Sequence, residues 1–405
     1  MSFSLFSLAH TKAMTSSNPI SYIAVTDFRD VRHRFGILES DRFMHTYILG
    51  KTTSGKSNLI LTLCLQDIQR NTAGVFLCDV HGDLIEILLK HIPKHRKKDL
   101  IYLDIPNPNL KIGYNPIKKV PYEMRSLVAS GILESFKKLW SSSWGLRLEN
   151  LLRMALLGLL DQPKANLKDV LRILQDSSYQ KACLQHIVNP EVKRFFSKEL
   201  PQLSTAVLHP ILSKLGALLV HPSASRFLVE NPDSLSLFKA MNEKKIVLVN
   251  LNKGRLGGDV AHVLGSILIS GIYNSSLARV VLPEEKRIPF HVYLDEFQYY
   301  TTNISDMFSE LRKFKVSLNI AHHYLQEISD NLRHGILGNI GTVICFRIGA
   351  NDAEFMIKQQ FKEYSPLTVG DYVYLPNRSI IISLMINGKP SKPFTAKTLY
   401  YKTVL

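Results

Sequence analysis

One short stretch, "YILGKTTSGKSNLIL" at 47–61, constrains this chain more than any other. A short apolar run enters a loop that spans Gly50 to Gly55, and an apolar helical pattern follows it. The spacing matches G-x-x-x-x-G-K-[ST], the pattern of a strand, a glycine-rich loop and a helix in succession. Such a loop turns backbone N–H groups inward around phosphates, and the helix N-terminus adds its dipole. The stretch therefore predicts a strand–loop–helix unit that binds the phosphates of a nucleotide.

The chemistry of the predicted phosphate loop depends on the residue type at several positions. Glycine permits dihedrals and close approaches that a Cβ would forbid. We expect Lys56 to reach the β- and γ-phosphates of ATP, and the Ser57 hydroxyl to be a ligand of Mg²⁺. Thr53 stands where many such loops carry a glycine; if that position needs a positive φ, threonine costs about 1 kcal/mol or more. The predicted loop comprises Gly50, Lys51, Thr52, Thr53, Ser54, Gly55, Lys56 and Ser57.

A second candidate feature is the acidic pair in "HVYLDEFQYY", residues 291–300. Four mostly apolar residues form a strand, and Asp295 and Glu296 follow at its carboxyl end. Ligands bind at that end of the strands in open α/β sheets. We expect Asp295 to hold Mg²⁺ and Glu296 to be the base that polarises the attacking water, which favours an ATPase. The alternative is an acidic pair in a solvated turn.

The order of apolar patterns predicts the fold class. The continuous apolar run "GVFLCDV", 74–80, is typical of a strand buried on both faces. Strand and helix patterns alternate from His45 onward, which predicts a mostly parallel sheet flanked by helices. Between about Pro121 and Ala240 the apolar spacing is helical only, and strand patterns then return. We therefore predict an α/β protein with an N-terminal extension at 1–40, a core at 41–120 and 241–405, and an all-helical insertion domain at 121–240.

Charge and cysteine content narrow the environment and the partners. The chain has 50 Lys and Arg against 34 Asp and Glu, a formal charge of +16. Such an excess favours nucleic acid or anionic lipid as a partner, with an acidic protein as the alternative. The four cysteines lie far apart without a C-x-x-C pattern, which fits a reducing cytosol and argues against zinc. The longest apolar runs are too short to span a bilayer, so we expect no transmembrane segment and a cytoplasmic location.

The order and spacing of these motifs resemble the FtsK–HerA superfamily of hexameric P-loop motors. Within it, the chain is most similar to TraD/TraG-like coupling proteins of conjugation and type IV secretion. The resemblance implies a RecA-like core, ATP and Mg²⁺, a homo-hexameric ring that moves DNA without sequence specificity, and membrane-bound partners. It is carried by the segments FGILESDRFMHTYILGKTTSGKS, LCDVHGDLIEILL, GYNPI, IVLVNLNKGRLGGDVAHVLGSILISGI, HVYLDEFQ, ELRKFKVSLNIAHHYLQEI and NIGTVICFRIGANDAE.

The resemblance also implies roles for two further residues. Arg312, in "SELRKFKVSL", matches a basic residue that relatives present to the γ-phosphate of a neighbouring subunit. A guanidinium delivered in this way is worth about 10³ to 10⁵ in rate. Arg347 and Arg279 are rival candidates for this finger. His323 stands where relatives carry a γ-phosphate-sensing glutamine; it can donate a hydrogen bond, but the charge of a histidine depends on pH.

The sequence leaves several interpretations open. In "DVHGDL", Asp79, His81 and Asp83 are either metal ligands or a cap and turn beside the nucleotide pocket. The basic stretches at 90–99, 252–259 and 312–315 are either contacts to a polyanionic track or solvated faces.

The leading functional hypothesis is a cytoplasmic, ATP-driven DNA pump, with recruitment to the inner membrane by a partner as one option. One alternative is a secretion ATPase that acts on protein. Another is a nucleotide-dependent scaffold with little hydrolysis, which the departures at Thr53 and His323 favour.

Overall fold

The computed structural model describes residues 18–27, 32–137, 140–141, 144–231, 234–300, 304–361 and 366–404. Its strands are β1 (Ile20–Thr26), β2 (Arg34–Leu38), β3 (Thr46–Leu49), β4 (Gly74–Asp79), β5 (Leu100–Asp104), β6 (Ile246–Asn250), β7 (Phe290–Leu294), β8 (Val316–His322), β9 (Thr342–Cys345), β10 (Ser379–Ser383), β11 (Met385–Ile386), β12 (Lys389–Pro390) and β13 (Phe394–Thr398).

Its α-helices are α1 (Glu39–Arg42), α2 (Lys56–Arg70), α3 (Asp83–His91), α4 (Arg125–Lys137), α5 (Leu146–Leu160), α6 (Asp169–Gln175), α7 (Ser177–Leu184), α8 (Pro190–Arg194), α9 (His209–Val220), α10 (Pro222–Ser225), α11 (Leu237–Asn242), α12 (Lys253–Leu256), α13 (Gly258–Leu277), α14 (Ser305–Glu310), α15 (Asp330–Asn339), α16 (Ala350–Phe355) and α17 (Val369–Val373).

One large sheet organises these elements, in the strand order β2-β1-β13-β10-β9-β3-β8-β7-β4-β6-β5. The seven strands from β9 to β5 pair in parallel. The four strands from β2 to β10 extend the sheet antiparallel to their neighbours. Because β1 and β2 lie at 20–38, the predicted N-terminal extension contributes two strands to this sheet. The prediction of a mostly parallel sheet flanked by helices is confirmed.

The parallel strands inside the sheet are buried on both faces, which explains their continuous apolar sequences, while the outermost strand β5 is mostly half-buried. Successive side chains of a strand point to opposite faces. Tyr47 and Leu49 of β3 therefore join one apolar cluster, and Ile48 joins the cluster on the other face. The first cluster continues into the helices between β5 and β6, where the regular elements of the described residues are α-, 3-10 and π-helices.

The longest helix lies in this first cluster. It continues through a 3-10 turn, and residues Gly258–Val281 are long and apolar enough to cross a membrane; 67% of the apolar window is buried inside the protein. Ser270 Oγ donates to the Gly131 carbonyl of α4 at 3.1 Å, which joins two buried helices. The burial and this contact are those of a core helix.

A buried ion pair links α1, α2 and β7. Both guanidinium NH₂ groups of Arg42 donate to the Asp67 carboxylate, at 2.5 and 2.9 Å, and one also donates to the Tyr293 hydroxyl at 2.6 Å. Burial by itself would raise the pKa of Asp67, but the charge of Arg42 holds it below its ordinary value. Removing one member of such a pair would leave a charge without its partner in the core.

Candidate nucleotide site

The phosphate loop joins the end of β3 to the start of α2. A Cβ on Gly50 would come within 2.6 Å of the Phe346 side chain, so this position requires a glycine. Gly55 has a φ of +127°, a conformation that L-side chains rarely adopt. Within the loop, Ser54 Oγ donates to the Lys51 carbonyl at 2.7 Å. The strand–loop–helix unit predicted from the sequence is therefore present.

Thr53 has a left-handed backbone, with a φ of +65°. This is the condition under which the sequence predicts a cost, because left-handed backbone is unfavourable for a β-branched residue by roughly 1–2 kcal/mol. The Thr53 side chain donates to the Thr52 carbonyl at 2.6 Å. The loop thus folds with a strained residue at its tip.

The Lys56 ammonium lies across the loop. Its Nζ donates to the Gly50 carbonyl at 2.6 Å and contacts His323 Nδ1 at 3.0 Å. Burial lowers the pKa of Lys56, while the charges of Asp295, Glu296 and Glu327 oppose that shift. Lys56 is therefore held by backbone and imidazole acceptors that phosphate oxygens would replace.

Asp295 faces the start of α2 from the end of β7, two strands away from β3 in the sheet. Ser57 Oγ donates to Asp295 Oδ2 at 3.0 Å. Asp295 Oδ1 is buried and has no hydrogen-bond partner among the described residues. Burial, followed by the charge of Glu296, raises the pKa of Asp295 to about 7.

The Ser57 hydroxyl oxygen and the free carboxylate oxygen of Asp295 fit a bound Mg²⁺ ion. Mg²⁺ binds through one or two carboxylate groups plus substrate phosphates and water. The unpartnered buried oxygen of Asp295 lacks a cation or donor, and the neighbouring Ser57 hydroxyl supplies a second oxygen. The residues predicted from the sequence for this role lie together.

Both carboxylate oxygens of Glu296 are oriented by neighbours. Oε1 lies 2.6 Å from His323 Nε2, and Oε2 accepts from Gln298 Nε2 at 2.8 Å. Glu296 has a left-handed backbone, with a φ of +56°. Strained backbone of this kind clusters at functional sites and is retained where the surrounding structure enforces it. The side chain is thus fixed at the edge of the sheet that carries the phosphate loop.

His323 connects Lys56 to Glu296. Because the Lys56 ammonium can only donate, Nδ1 accepts, and the imidazole proton lies on Nε2 and is donated to Glu296. This contact network extends to Glu327, whose Oε2 accepts the backbone N–H of His323 at 3.0 Å and whose Oε1 accepts from Gln298 at 3.2 Å. Sequence reasoning missed Glu327 and Gln298, although both lie in segments that carry the family resemblance, because each acts by orienting a neighbouring side chain.

His322, the other histidine of "AHH", has a structural environment. It is buried, with Nε2 at 2.5 Å from the Tyr47 hydroxyl and Nδ1 at 3.2 Å from Glu327. Burial lowers its pKa, against the opposing effect of Glu327. The two histidines therefore differ: His323 is directed at the candidate site and His322 anchors β8 to β3.

The three candidate arginines lie in different places. Arg312 precedes the amino end of β8, at the opposite edge of the sheet from the phosphate loop, and its guanidinium contacts Met44 Sδ at 3.7 Å. Arg347 lies beside the loop, where its carbonyl accepts the Lys51 N–H at 2.8 Å.

Arg279 is fully buried, so the prediction of Arg279 as a rival finger is wrong. Its guanidinium donates to Asn242, Phe314 and Met241, at 3.1, 2.8 and 3.1 Å.

The segment "DVHGDL" forms a cap and turn beside the pocket. Asp79 accepts the backbone N–H groups of His81 at 2.8 Å and Leu84 at 3.0 Å. Among the described residues, no group of three His, Cys, Asp or Glu side chains could hold a metal ion. The interpretation of Asp79, His81 and Asp83 as metal ligands is therefore wrong. The charge of Asp79 is near enough to contribute to the raised pKa of Asp295.

Comparison with known proteins agrees with this arrangement. Residues 29–255, more than half of the chain, match the sequence model of the family described as "Helicase HerA, central domain". The chain therefore belongs to the HerA central-domain family, within the FtsK–HerA superfamily of P-loop proteins. No curated protein sequence matches it.

Solved structures show the same fold. An unbound form of the bacterial conjugative coupling protein TrwB matches with a TM-score of 0.63 at 15% identity, over 90% of this chain and 87% of that one. TrwB in complex with ADP and Mg²⁺ matches with a TM-score of 0.64 at 15% identity, over 90% and 87%. VirB4 of Thermoanaerobacter pseudethanolicus matches with a TM-score of 0.60 at 13% identity, over 96% and 98%. The RecA-like P-loop fold predicted from the sequence is confirmed.

Proposed function

We propose that this chain is a Mg²⁺-dependent ATPase that moves DNA as a homo-hexameric ring in conjugation or type IV secretion. The observation that carries the proposal is the meeting of Lys56, Ser57, Asp295 and Glu296 at one edge of the sheet, although the two pairs are distant in sequence. TrwB, which shares the fold, has been solved with ADP and Mg²⁺ and with non-hydrolysable ATP and GTP analogues.

The side chains divide the chemistry between them. Lys56 exchanges the Gly50 carbonyl and His323 for the β- and γ-phosphates of ATP. Ser57 and Asp295 would hold Mg²⁺, and the ion would neutralise charge that develops on the phosphates. Glu296 accepts the proton of the attacking water, within an orientation set by Gln298. His323, released from Lys56, keeps its Nε2 contact with Glu296 and presents Nδ1 to the attacking water as an acceptor. Donation from Nδ1 to the γ-phosphate requires the imidazolium, which has a proton on both ring nitrogens.

Assembly into a ring would complete the site. Arg312 lies at the amino edge of the sheet, so it cannot serve the site of its own chain at the carboxyl edge. A head-to-tail interface brings two different surfaces together and closes into a ring when the rotation permits. We propose that Arg312 enters the neighbour's site in this way and makes hydrolysis dependent on assembly.

A DNA track fits the charge of +16 and the exposed basic residues near the nucleotide edge. Lys253 and Arg255 are exposed on α12, directly after β6. By contrast, Arg96 of the basic stretch at 90–99 is fully buried and donates to the carbonyls of Ile68 and Lys244, so it is structural. We also propose a cytoplasmic location, membrane-bound secretion or conjugation partners, and an all-helical insertion domain at 121–240.

The test is ATP turnover of the wild type and of Glu296→Gln, each with and without DNA and over a range of salt. We expect DNA to stimulate the wild type, with an effect that falls steeply with salt through counterion release. Glu296→Gln should lose turnover by at least about 100-fold and keep nucleotide binding, because general base catalysis contributes about 10²–10⁴-fold. If DNA does not change the rate of ATP turnover and a secreted protein raises it, the secretion-ATPase alternative is supported.

A second candidate, a nucleotide-dependent scaffold, is favoured by the His323 bridge and the strained Thr53. In the described structure His323 holds both the phosphate-binding lysine and the catalytic base. If the wild type and Glu296→Gln bind ATP and assemble alike but share the same near-zero turnover, the scaffold is correct and the motor is not.

A further inference from the structure

An arginine and a tyrosine from the C-terminal strands lie against the phosphate loop, on the side away from the acidic pair. Arg378 directly precedes β10, and Tyr400 follows β13. Because β10 is antiparallel to β9 and to β13, the start of β10 and the end of β13 both lie at the loop's edge of the sheet. In the strand order, β7 with Asp295 and β10 with Arg378 lie two strands from β3 in opposite directions.

Arg378 is in direct contact with the loop. Its backbone N–H donates to the Ser54 carbonyl at 2.8 Å. A Cβ on Gly55 would meet the Cα and Cγ of Arg378, each at 3.3 Å. Arg378 also has a left-handed backbone, with a φ of +67°. The last glycine of the loop is therefore packed beneath this arginine, whose strained backbone sets the direction of its side chain.

Tyr400 is held beside it by the first turn of α2. Asn58 Nδ2 donates to the Leu399 carbonyl at 2.6 Å, and Asn58 Oδ1 accepts the Tyr401 N–H at 3.1 Å. The two peptide contacts thus fix both neighbours of Tyr400. Its ring lies 5.7 Å from the Arg378 guanidinium and remains 38% exposed. The backbone that carries this ring and this planar cation is thereby held in place, and both side chains are partly open to solvent.

The direction in which phosphates would lie in this loop indicates which part of a nucleotide the surface of Arg378 and Tyr400 would contact. Lys56 and the acidic pair define the γ-phosphate end, and the backbone N–H groups of the loop hold the α- and β-phosphates. The nucleoside then leaves the loop at the other end, near Asn58, where Arg378 and Tyr400 lie. Planar cations and aromatic rings both stack on nucleobases, whose π-faces are common to all bases.

We propose that Arg378 and Tyr400 form a stacking platform for the purine base of the bound nucleotide. The inference rests on the proposed nucleotide-binding function and deepens it. A stacked base is held by its face, so adenine and guanine nucleotides bind with similar affinity. The platform also connects nucleotide occupancy to the C-terminal strands β10 and β13, because Arg378 directly precedes β10 and Tyr400 follows β13.

The test is calorimetric binding of ADP, GDP and inorganic tripolyphosphate, each with Mg²⁺, to the full chain. Base stacking accounts for about 5- to 150-fold in affinity by alanine substitution. We expect Tyr400→Ala to weaken ADP and GDP binding within that range and to leave tripolyphosphate binding within about twofold of the wild type. Tyr400→Phe keeps the ring and should bind ADP like the wild type. Arg378→Asn, which tolerates left-handed backbone, should show a smaller loss for ADP and for GDP and none for tripolyphosphate.

Tyr122→Ala is the matched control. Tyr122 is 48% exposed and lies 5.1 Å from the Arg125 guanidinium, so it presents the same kind of pair far from the loop in the chain. Unchanged ADP binding by Tyr400→Ala would overturn the platform, as would an equal loss of tripolyphosphate binding, which indicates a damaged loop. A wild type that binds no ADP would instead overturn the proposed function itself, and the platform with it.

Discussion

The contact between Lys56 and His323 predicts that a mutation can strengthen nucleotide binding. Lys56 must leave His323 Nδ1, which lies at 3.0 Å, before it can reach a phosphate. A hydrogen bond to a charged group contributes about 1.5–3 kcal/mol. Because the His323 side chain is 27% exposed, water competes for the contact, and we take a value at or just below the lower limit of that range, about 1–1.5 kcal/mol. The expected gain for His323→Ala is therefore about 5- to 10-fold in affinity.

ADP is the ligand to use, because it lacks the γ-phosphate that His323 would contact in the bound state. We expect His323→Ala to bind ADP with Mg²⁺ more tightly than the wild type in a calorimetric titration. His334→Ala is the control, since His334 is exposed on α15 and should leave ADP affinity unchanged. Unchanged or weaker ADP binding by His323→Ala would refute the reasoning that this histidine competes with phosphate.

Turnover should respond in the opposite direction. Glu296 loses the donor at 2.6 Å that orients it, so ATP hydrolysis by His323→Ala should fall even though ADP binds more tightly. His323→Gln keeps a donor and should retain more turnover than His323→Ala. Equal turnover of the two variants in a steady-state assay would contradict an orienting role.

Three further predictions concern stability. Asp295 has a pKa of about 7 in the folded protein against an ordinary 3.8, so its ionisation opposes folding. Asp295→Asn should therefore have a higher free energy of unfolding than the wild type in urea denaturation. The difference should be small below about pH 4 and reach at most about 4 kcal/mol above about pH 7. A pH-independent difference would contradict this. Thr53→Gly should raise the free energy of unfolding by about 0.5–1 kcal/mol, because the strain of a left-handed threonine backbone is larger than the entropy that glycine adds to the unfolded chain. A lower free energy of unfolding in Thr53→Gly would show that Thr53 is not strained. Asp67→Ala removes the bidentate partner of Arg42 in the core and leaves Glu39, at 3.9 Å, as its remaining carboxylate. It should lower the unfolding free energy by about 3–5 kcal/mol in the same assay, against about 0.5 kcal/mol or less for Glu354→Ala, which removes an exposed pair with Lys358. Equal losses for the two variants would contradict this prediction.

Local patterns were sufficient for the elements that build the nucleotide edge. The loop from Gly50 to Ser57 was recognisable because glycine, lysine and serine each have a separate function in binding phosphates and Mg²⁺. Asp295 and Glu296 were recognisable because parallel strands buried on both faces have continuous apolar sequences, and their carboxyl ends meet at one edge. The residues that form each of these motifs lie within a few positions of one another, so each motif can be recognised in a single sequence.

Other features depended on contacts between distant segments. Arg279 appeared to be an available arginine after a long helix, and only the packing of Met241 and Phe314 around it shows that it is buried. The polar run at "DVHGDL" matched either a metal site or a cap, and the backbone partners of Asp79 decided for the cap.

The amino-acid sequence by itself determined the α/β class, the phosphate loop and the acidic pair, because periodicity and loop chemistry are local properties of a chain. Only the tertiary structure decided that His323 bridges Lys56 to Glu296, and that Arg378 and Tyr400 lie against Gly55 and Asn58. The physical reason is that these contacts join segments brought together by the order of strands in the sheet. Strand order results from packing over the whole chain, and no short pattern encodes it.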